Sequence, residues 1–221
     1  MRRTPVWDAP LRLFHWALAA LVVFSYASAK FGGDWMEWHM RSGYAILTLL
    51  LFRLAWGFAG GTTARFSGFL RGPGAARDYV RAHLRGTRPA VVGHNPLGGW
   101  MVLAFLAILF TQAVSGLFVD DEIFTQGPLA AKASNALVAR MNQVHGFNQW
   151  LVLGAVVLHL AAIAVYQRVL RRNLVGPMVH GGAAPEGSAV RPGSGAVAGV
   201  LLALAAGAVY YLVVVFPRSP A

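Results

Sequence analysis

Four of the seven histidines in this 221-residue chain lie within apolar stretches: His15, His39, His145 and His159. His145 and His159 stand fourteen residues apart on what reads as one long helix, and at about 100° per residue this is almost four full turns. The two rings therefore leave the same face, about 21 Å apart at a rise of about 1.5 Å per residue. Ionisable side chains inside a membrane are costly and indicate a functional site. Two on one stripe predict ligands for two cofactors at two depths.

The elements that must position these histidines are membrane helices. The chain is 57% hydrophobic and 12% charged, with a mean hydropathy of +0.54, which is too apolar for an ordinary soluble domain. Several apolar runs reach the length that a bilayer requires. We predict an all-α integral membrane protein with five spans, at about residues 11–29, 38–58, 97–119, 145–169 and 196–216.

The domain organisation follows from these spans. Residues 1–175 are expected to form a four-helix transmembrane bundle, followed by a Gly/Pro-rich linker at 176–195 and the additional helix at 196–216. A surface helix is expected at Gly74–Leu84 and an interfacial one at Leu129–Met141. The alternative reading of the first span, a cleaved secretory signal, is disfavoured by its histidine and by the break before it.

Charge fixes the expected orientation. The net charge of +11 does not indicate a nucleic-acid partner, because the basic residues lie between the apolar runs, as the positive-inside rule describes. A cytoplasmic N-terminus leaves all but five of the nineteen Lys and Arg residues on the inner side. The five on the outer side are Lys30, Arg41, Lys132, Arg140 and Arg218. The tryptophans lie near the helix ends, as in an aromatic belt.

This topology brings the four histidines to two levels. His15 and His159 fall in the inner half of the membrane, and His39 and His145 at the outer edge. Imidazoles on facing helices, one on each side of an iron, are what two six-coordinate haems require. The chain has no cysteine, so iron–sulfur clusters and covalently attached haem are excluded. The prediction is therefore two non-covalent b-type haems; the alternative is that each histidine is an interfacial residue.

The other three histidines and Arg53 lie outside this set of four ligands. Arg53 shares a helix face with His39 and is expected either to pair with a propionate of the inner haem or to extend to the membrane surface. His94 opens the third span and is a candidate for a head-group or quinone site. His83 and His180 lie in predicted loops and are expected to be solvated. Gly43 and Gly146 would allow a flat macrocycle to approach the helices near the outer pair.

Several segments resemble one family. The opening Val6-Trp7-Asp8-Ala9-Pro10-Leu11-Arg12-Leu13-Phe14-His15-Trp16, the His39–Gly43 stretch, the Gly93-His94-Asn95-Pro96-Leu97-Gly98-Gly99 entry and the His145/His159 helix are similar to the bacterial cytochrome b561 and Ni,Fe-hydrogenase-type cytochrome b proteins. The resemblance covers roughly residues 5–175. It implies a four-helix core with two b-type haems, ligated by His15, His39, His145 and His159. The fifth helix departs from that pattern.

The function that we expect is electron transfer across the bacterial inner (cytoplasmic) membrane. The electrons would pass between the quinone pool and a redox protein, either a c-type cytochrome or a dehydrogenase or hydrogenase subunit. An electron-transfer subunit is favoured over a stand-alone enzyme, namely a quinol oxidoreductase that uses oxygen or superoxide as acceptor. A transporter or channel would need intramembrane carboxylates, whereas all eight acidic residues are expected in termini or loops: Asp8, Asp34, Glu37, Asp78, Asp120, Asp121, Glu122 and Glu186.

Overall fold

The structure, a computed structural model, describes residues 4–87, 91–123 and 125–219. The described residues form helices and a single isolated β-bridge between Asp120 and Gln126. Five helices are long and apolar enough to cross a membrane, which confirms the all-α class with five spans. The helices are α1 (Ala9–Phe31), α2 (Trp35–Ala59), α3 (Phe66–Phe69), α4 (Pro73–Leu84), α5 (Pro96–Gly116), α6 (Asn135–Arg168), α7 (Val175–His180) and α8 (Gly195–Tyr210), the last continuing through a π turn and a 3₁₀ turn to Arg218.

Polar side chains fix where the spans begin. Asp8, Asn95, Ser134 and Ser194 each accept a hydrogen bond from a backbone N–H in the first turn of the helix that follows, as N-cap residues do. Pro10 and Pro96 occupy the first turns of α1 and α5, where a missing N–H costs nothing. The sequence therefore specifies the starts of four of the five long helices locally.

Two boundaries differ from the prediction. The expected interfacial helix at Leu129–Met141 is wrong: Ala130–Lys132 forms a 3₁₀ turn, and α6 begins at Asn135 and runs unbroken past His159. The third span ends at Gly116 because the following chain folds back, with Leu117 O accepting from Leu129 N at 2.8 Å and Val119 O from Gly127 N at 2.7 Å. The expected surface helix is present as α4.

The long helices pack in a chain of neighbours. α1 lies along α2, α2 also contacts α5 and α8, and α5 lies along α6. Among the described helices, α6 packs extensively against α5 alone. Of the α6 residues, only Asn148 and Val152 are buried. Val152 shares a buried apolar cluster with Ile46 and Leu50 of α2, but otherwise α6 makes few contacts with α1 and α2.

The fifth helix is part of the bundle rather than a separate element. Ala198 and Ala205 on α8 are buried in one apolar cluster with Leu11 and Phe14 of α1 and with Trp56 of α2. Small residues at such positions allow membrane helices to approach closely. The linker before α8 also folds against the core, since Gly181 O accepts from Trp7 N at 3.0 Å.

Candidate metal centres

The structure brings the four predicted histidines together as two pairs. The ring centroids of His15 on α1 and His159 on α6 are 6.4 Å apart, with the ring planes at 54°. Those of His39 on α2 and His145 on α6 are 6.2 Å apart, with the planes at 84°. Each pair thus joins α6 to a helix with which it otherwise makes few contacts. The pairs are those that helix topology predicted.

The spacing within each pair is that of two imidazoles on opposite sides of one metal ion. A metal–nitrogen bond of about 2.0 Å and about 1.15 Å from that nitrogen to the ring centre place collinear ring centres about 6.3 Å apart. The described residues contain no cluster of three or more His, Cys, Asp or Glu side chains suited to a metal ion. The other ligands of a metal held by either pair would have to come from backbone oxygens, water or a prosthetic group. A haem supplies four such ligands and leaves two axial positions for histidine.

The surroundings of the His39/His145 pair combine open space and close contact. A Cβ added at Gly43 or Gly146 would meet no atom within 4 Å, so the chain leaves room beside both helices. At Gly116 of α5 an added Cβ would lie 2.9 Å from Cε1 of His145. Glycine at that position therefore allows the imidazole to pack against the backbone of α5.

Both histidines of this pair are anchored through Nδ1. Nδ1 of His39 lies 2.8 Å from the backbone carbonyl of Ser25, and Nδ1 of His145 lies 2.9 Å from the carbonyl of Gln112. A carbonyl can only accept, so each Nδ1 carries the proton and donates it, and each Nε2 is left with its lone pair. The carbonyl contacts thereby set the tautomer that a metal ligand needs.

A polar network that was not predicted from the sequence extends from His145. The side-chain amide of Gln112 lies 3.2 Å from Nε2 of His145, and Asn148 donates to Oε1 of Gln112 at 2.8 Å. Asn148 is itself buried. The signal available in the sequence was a glutamine inside an apolar span, which needs a partner in a membrane.

The His15/His159 pair has a more apolar setting. Nδ1 of His15 is buried, and no described residue provides a hydrogen-bond partner for it. The ring of Trp16 stands edge-on to His15 at 5.0 Å, and Phe105 stands edge-on to His159 at 5.6 Å. Each histidine of this pair therefore contacts the ring of an aromatic residue, whereas each histidine of the other pair contacts a backbone carbonyl.

Arg53 is enclosed by protein and forms no ion pair with a described residue, although the carboxylate of Asp8 is near enough to act on its charge. Its relative exposure is 2%, and neither terminal guanidinium nitrogen has a hydrogen-bond partner among the described residues. Its Cζ lies 5.1 Å from the ring centroid of Phe66 and 5.9 Å from that of Phe69. Cation–π contacts offset only part of the cost of burying a charge. The guanidinium does not extend to a surface, and it is free to receive an anion.

His94 belongs to neither pair. Its ring contacts Trp7, with the ring centroids 4.6 Å apart, and Phe69, with the centroids 4.5 Å apart, while its Nδ1 is buried without a partner. Burial, together with the nearby Arg53 and His15, lowers the pKa of His94 to about 3. The ring is therefore neutral at pH 7. The expectation that His83 is solvated is not met at Nε2, which is buried, while its Nδ1 lies 3.0 Å from the carbonyl of Tyr79.

Asp8 joins three parts of the chain, which the sequence did not reveal. This carboxylate is 3% exposed and accepts from Leu11 N at 3.0 Å, Trp56 Nε1 at 3.4 Å, Gly61 N at 3.2 Å and Gly193 N at 3.3 Å. It therefore caps α1 and ties the end of α2 to the linker before α8.

The sequence of residues 6–181 matches the model of the family described as prokaryotic cytochrome b561. This chain belongs to the prokaryotic cytochrome b561 family. The cytochrome is also similar to a probable Ni/Fe-hydrogenase B-type cytochrome subunit from Azotobacter chroococcum mcd 1, with 25% identity over 209 residues, covering 80% of this chain and 86% of that protein. No solved structure matches.

Membership confirms the resemblance read from the sequence and gives the two pairs a context. A cytochrome b of this family is a multi-pass membrane protein of electron transport that carries haem b. The family match ends at residue 181, so α8 lies beyond it.

Proposed function

We propose that this cytochrome holds two b-type haems and carries electrons across the bacterial inner membrane between the quinone pool and a redox protein. The observation that carries the proposal is the pair of histidine spacings, 6.4 Å and 6.2 Å between ring centroids. Both agree with the spacing of about 6.3 Å for two imidazoles on one metal. His15 and His159 would hold one haem, and His39 and His145 the other.

The chain's own residues would orient and tune these sites. The carbonyls of Ser25 and Gln112 hold the His39 and His145 rings with the proton on Nδ1, and a metal at His145 would take the place of the Gln112 amide at Nε2. The unpaired guanidinium of Arg53 would neutralise a propionate of the His15/His159 haem, since guanidinium and carboxylate geometries match. When bound, each haem supplies one-electron Fe(III)/Fe(II) chemistry, and two axial histidines leave no position for a substrate on the iron. That coordination suits electron transfer rather than oxygen activation.

The direction of the chain in the membrane follows from its charges. With the N-terminus in the cytoplasm, the His15/His159 pair lies in the inner half and the His39/His145 pair at the outer edge. The positions of the acidic residues favour a role other than ion transport, since that role would need carboxylates inside the membrane. Two of them are exceptions to the expected loop positions: Asp78 lies in the surface helix α4, and Glu37 lies in the first turn of α2, where it pairs with Arg41 at an exposed end.

A redox-protein partner is the best-supported acceptor or donor. The similar protein from Azotobacter chroococcum is described as a hydrogenase subunit, and a hydrogenase or dehydrogenase catalytic subunit, or a c-type cytochrome, would serve the same role here. His94 remains our candidate for the quinone site. It is a neutral, buried imidazole beside Trp7 and Phe69, and its unpartnered nitrogen could hydrogen-bond a quinone oxygen.

Haem counting on the purified full-length protein tests the proposal. A pyridine haemochrome assay should return two haems per chain, all extractable with acidified acetone, and both should show low-spin spectra. His83→Ala and His180→Ala are matched controls, because these histidines belong to neither pair and should leave the count at two. One haem per chain, or haem that resists extraction, would contradict the two-site proposal.

A further inference from the structure

The two histidine pairs differ in one respect that bears on redox chemistry, namely what the second ring nitrogen touches. At His39 and His145 it donates to a backbone carbonyl at 2.8 Å and 2.9 Å. At His15 it is buried without a partner among the described residues. The difference lies in the packing of α1 on α2 and of α5 on α6, so it is fixed by backbone positions.

A hydrogen bond from Nδ1 changes the ligand on the other side of the ring. Donation to a carbonyl increases the electron density of the imidazole and raises its basicity as a metal ligand. A more basic ligand stabilises the ferric state over the ferrous state and lowers the midpoint potential. Second-shell hydrogen bonding is one of the main means by which proteins adjust haem potentials.

The positive charge of Arg53 acts in the same direction, because it favours reduction of the His15/His159 site more than of the His39/His145 site. The buried guanidinium of Arg53 and the ring of His15 each act electrostatically on His94, and Arg53 lies fourteen residues along α2 from His39, so its positive charge is at the end of α2 away from the His39/His145 pair. Its counter-charge among the described acidic groups is Asp8, which already accepts four N–H groups. A nearby positive charge favours the reduced, more negative site.

From these contacts we infer that the two sites have a fixed order of potential, with the His39/His145 site lower and the His15/His159 site higher. This inference rests on the proposed two-haem function. It makes Gly116 a positioning residue for the lower-potential site, because it allows His145 to approach the Gln112 carbonyl. It also means that an electron entering at the His39/His145 side moves to the other site with a favourable free energy.

A redox titration of the purified protein followed by its α-band gives the first test. The titration should resolve two one-electron steps. In His39→Ala protein, the remaining haem should titrate with the higher step, and in His15→Ala protein with the lower step. The opposite assignment, or two haems that titrate as one step, would overturn the inference. A protein with a single haem would instead refute the proposed function.

The cause is tested with Gly116→Ala. An added Cβ would meet Cε1 of His145 at 2.9 Å and should push the ring from the Gln112 carbonyl, so the lower step should move to higher potential while the upper step stays. Gly199→Ala is the matched control, since its Cβ would meet nothing within 4 Å. A shift of the upper step, or an unmoved lower step, would refute the role of the carbonyl. If Gly116→Ala loses one haem, the remaining haem should still titrate with the higher step; a remaining lower step would overturn the order.

Discussion

At the scale of single residues, the chemistry of each site depends on what Nδ1 of each histidine contacts. Fixing Nδ1 as a donor leaves Nε2 as the only lone pair on the ring. His39 and His145 are fixed in this way by carbonyls of α1 and α5. These two histidines are therefore held in a ligand-ready tautomer before any metal binds.

Alanine substitution of the four histidines should give two groups of variants. His15→Ala and His159→Ala should each remove the same component of the low-temperature α-band, and His39→Ala and His145→Ala the other, because each pair holds one iron. The measurement is made on folded, haem-containing protein, with His180→Ala as the control. Loss of one common component in His15→Ala and His39→Ala would contradict the pairing.

Replacing Arg53 should change one potential. Arg53→Leu removes a buried positive charge from the end of α2 away from the His39/His145 pair, so the midpoint potential of the His15/His159 site should fall and that of the other site should stay nearly constant. Arg53→Lys keeps the charge but not the two-pronged geometry, and its shift should be smaller. A redox titration of both variants checks this, and equal potentials in Arg53→Leu and the unmodified protein would refute the propionate contact.

The pairing was accessible from sequence, while the contacts that tune it were not. Helical rise and alternating span direction suffice to place His15 level with His159 and His39 level with His145. The contacts of His39 and His145 with the carbonyls of Ser25 and Gln112 could not be predicted from the sequence. Every residue has a carbonyl, and only the packing of the helices determines which one a histidine contacts. For Arg53 the sequence left two readings, since burial of its guanidinium depends on Phe66 and Phe69 from a segment beyond its helix.

At the scale of elements, Asp8 determines how the fifth helix attaches. Four N–H groups from α1, from Trp56 of α2, from the loop after α2 and from the linker before α8 converge on its two oxygens. A carboxylate can accept several such bonds, whereas an amide oxygen offers half the capacity. The α1 start, the α2 end and the α8 start are therefore mutually fixed.

Asp8→Asn should destabilise the protein while conserving side-chain shape. The amide nitrogen would face N–H donors, and each buried N–H left without an acceptor costs about 1–3 kcal/mol. Thermal loss of the haem spectrum should therefore begin at a lower temperature. Asp34→Asn is the matched control, since Asp34 also precedes a helix but its side chain makes no capping bond. Equal melting of the two variants would argue against the role of Asp8.

Element boundaries were predicted well where local chemistry sets them. N-cap residues and prolines mark the starts of α1 and α5 in the sequence itself. The interfacial helix before α6 was wrong, because Ser134 caps a helix that begins at Asn135 and continues without a break past His159. The docking of the linker on Asp8 was not predictable, since it joins residues 8 and 193.

At the scale of the whole molecule, the bundle consists of two packed groups. α1, α2 and α8 form one, α5 and α6 form the other, and contact between α2 and α5 joins them. Both histidine pairs cross from α6 to the first group. The overall arrangement of spans was predictable from hydropathy, whereas the sparse contact of α6 with α1 and α2 was not, because it depends on which helices pack together.

The sparse packing of α6 against α1 and α2 has a consequence for the life of the protein in the cell. With few contacts to α1 and α2, α6 would depend on bound cofactor to complete its packing, and ligands that bind only the folded state stabilise it by mass action. Chains made during haem shortage should be incompletely assembled and open to proteolysis. In cells limited for a haem precursor, the amount of this protein should fall although its messenger RNA does not, and an immunoblot before and after the precursor is restored measures it. Unchanged abundance would show that the apoprotein bundle is complete by itself. If the abundance does fall and recover with the precursor, haem supply acts as a post-translational control on how much of this electron carrier the membrane contains.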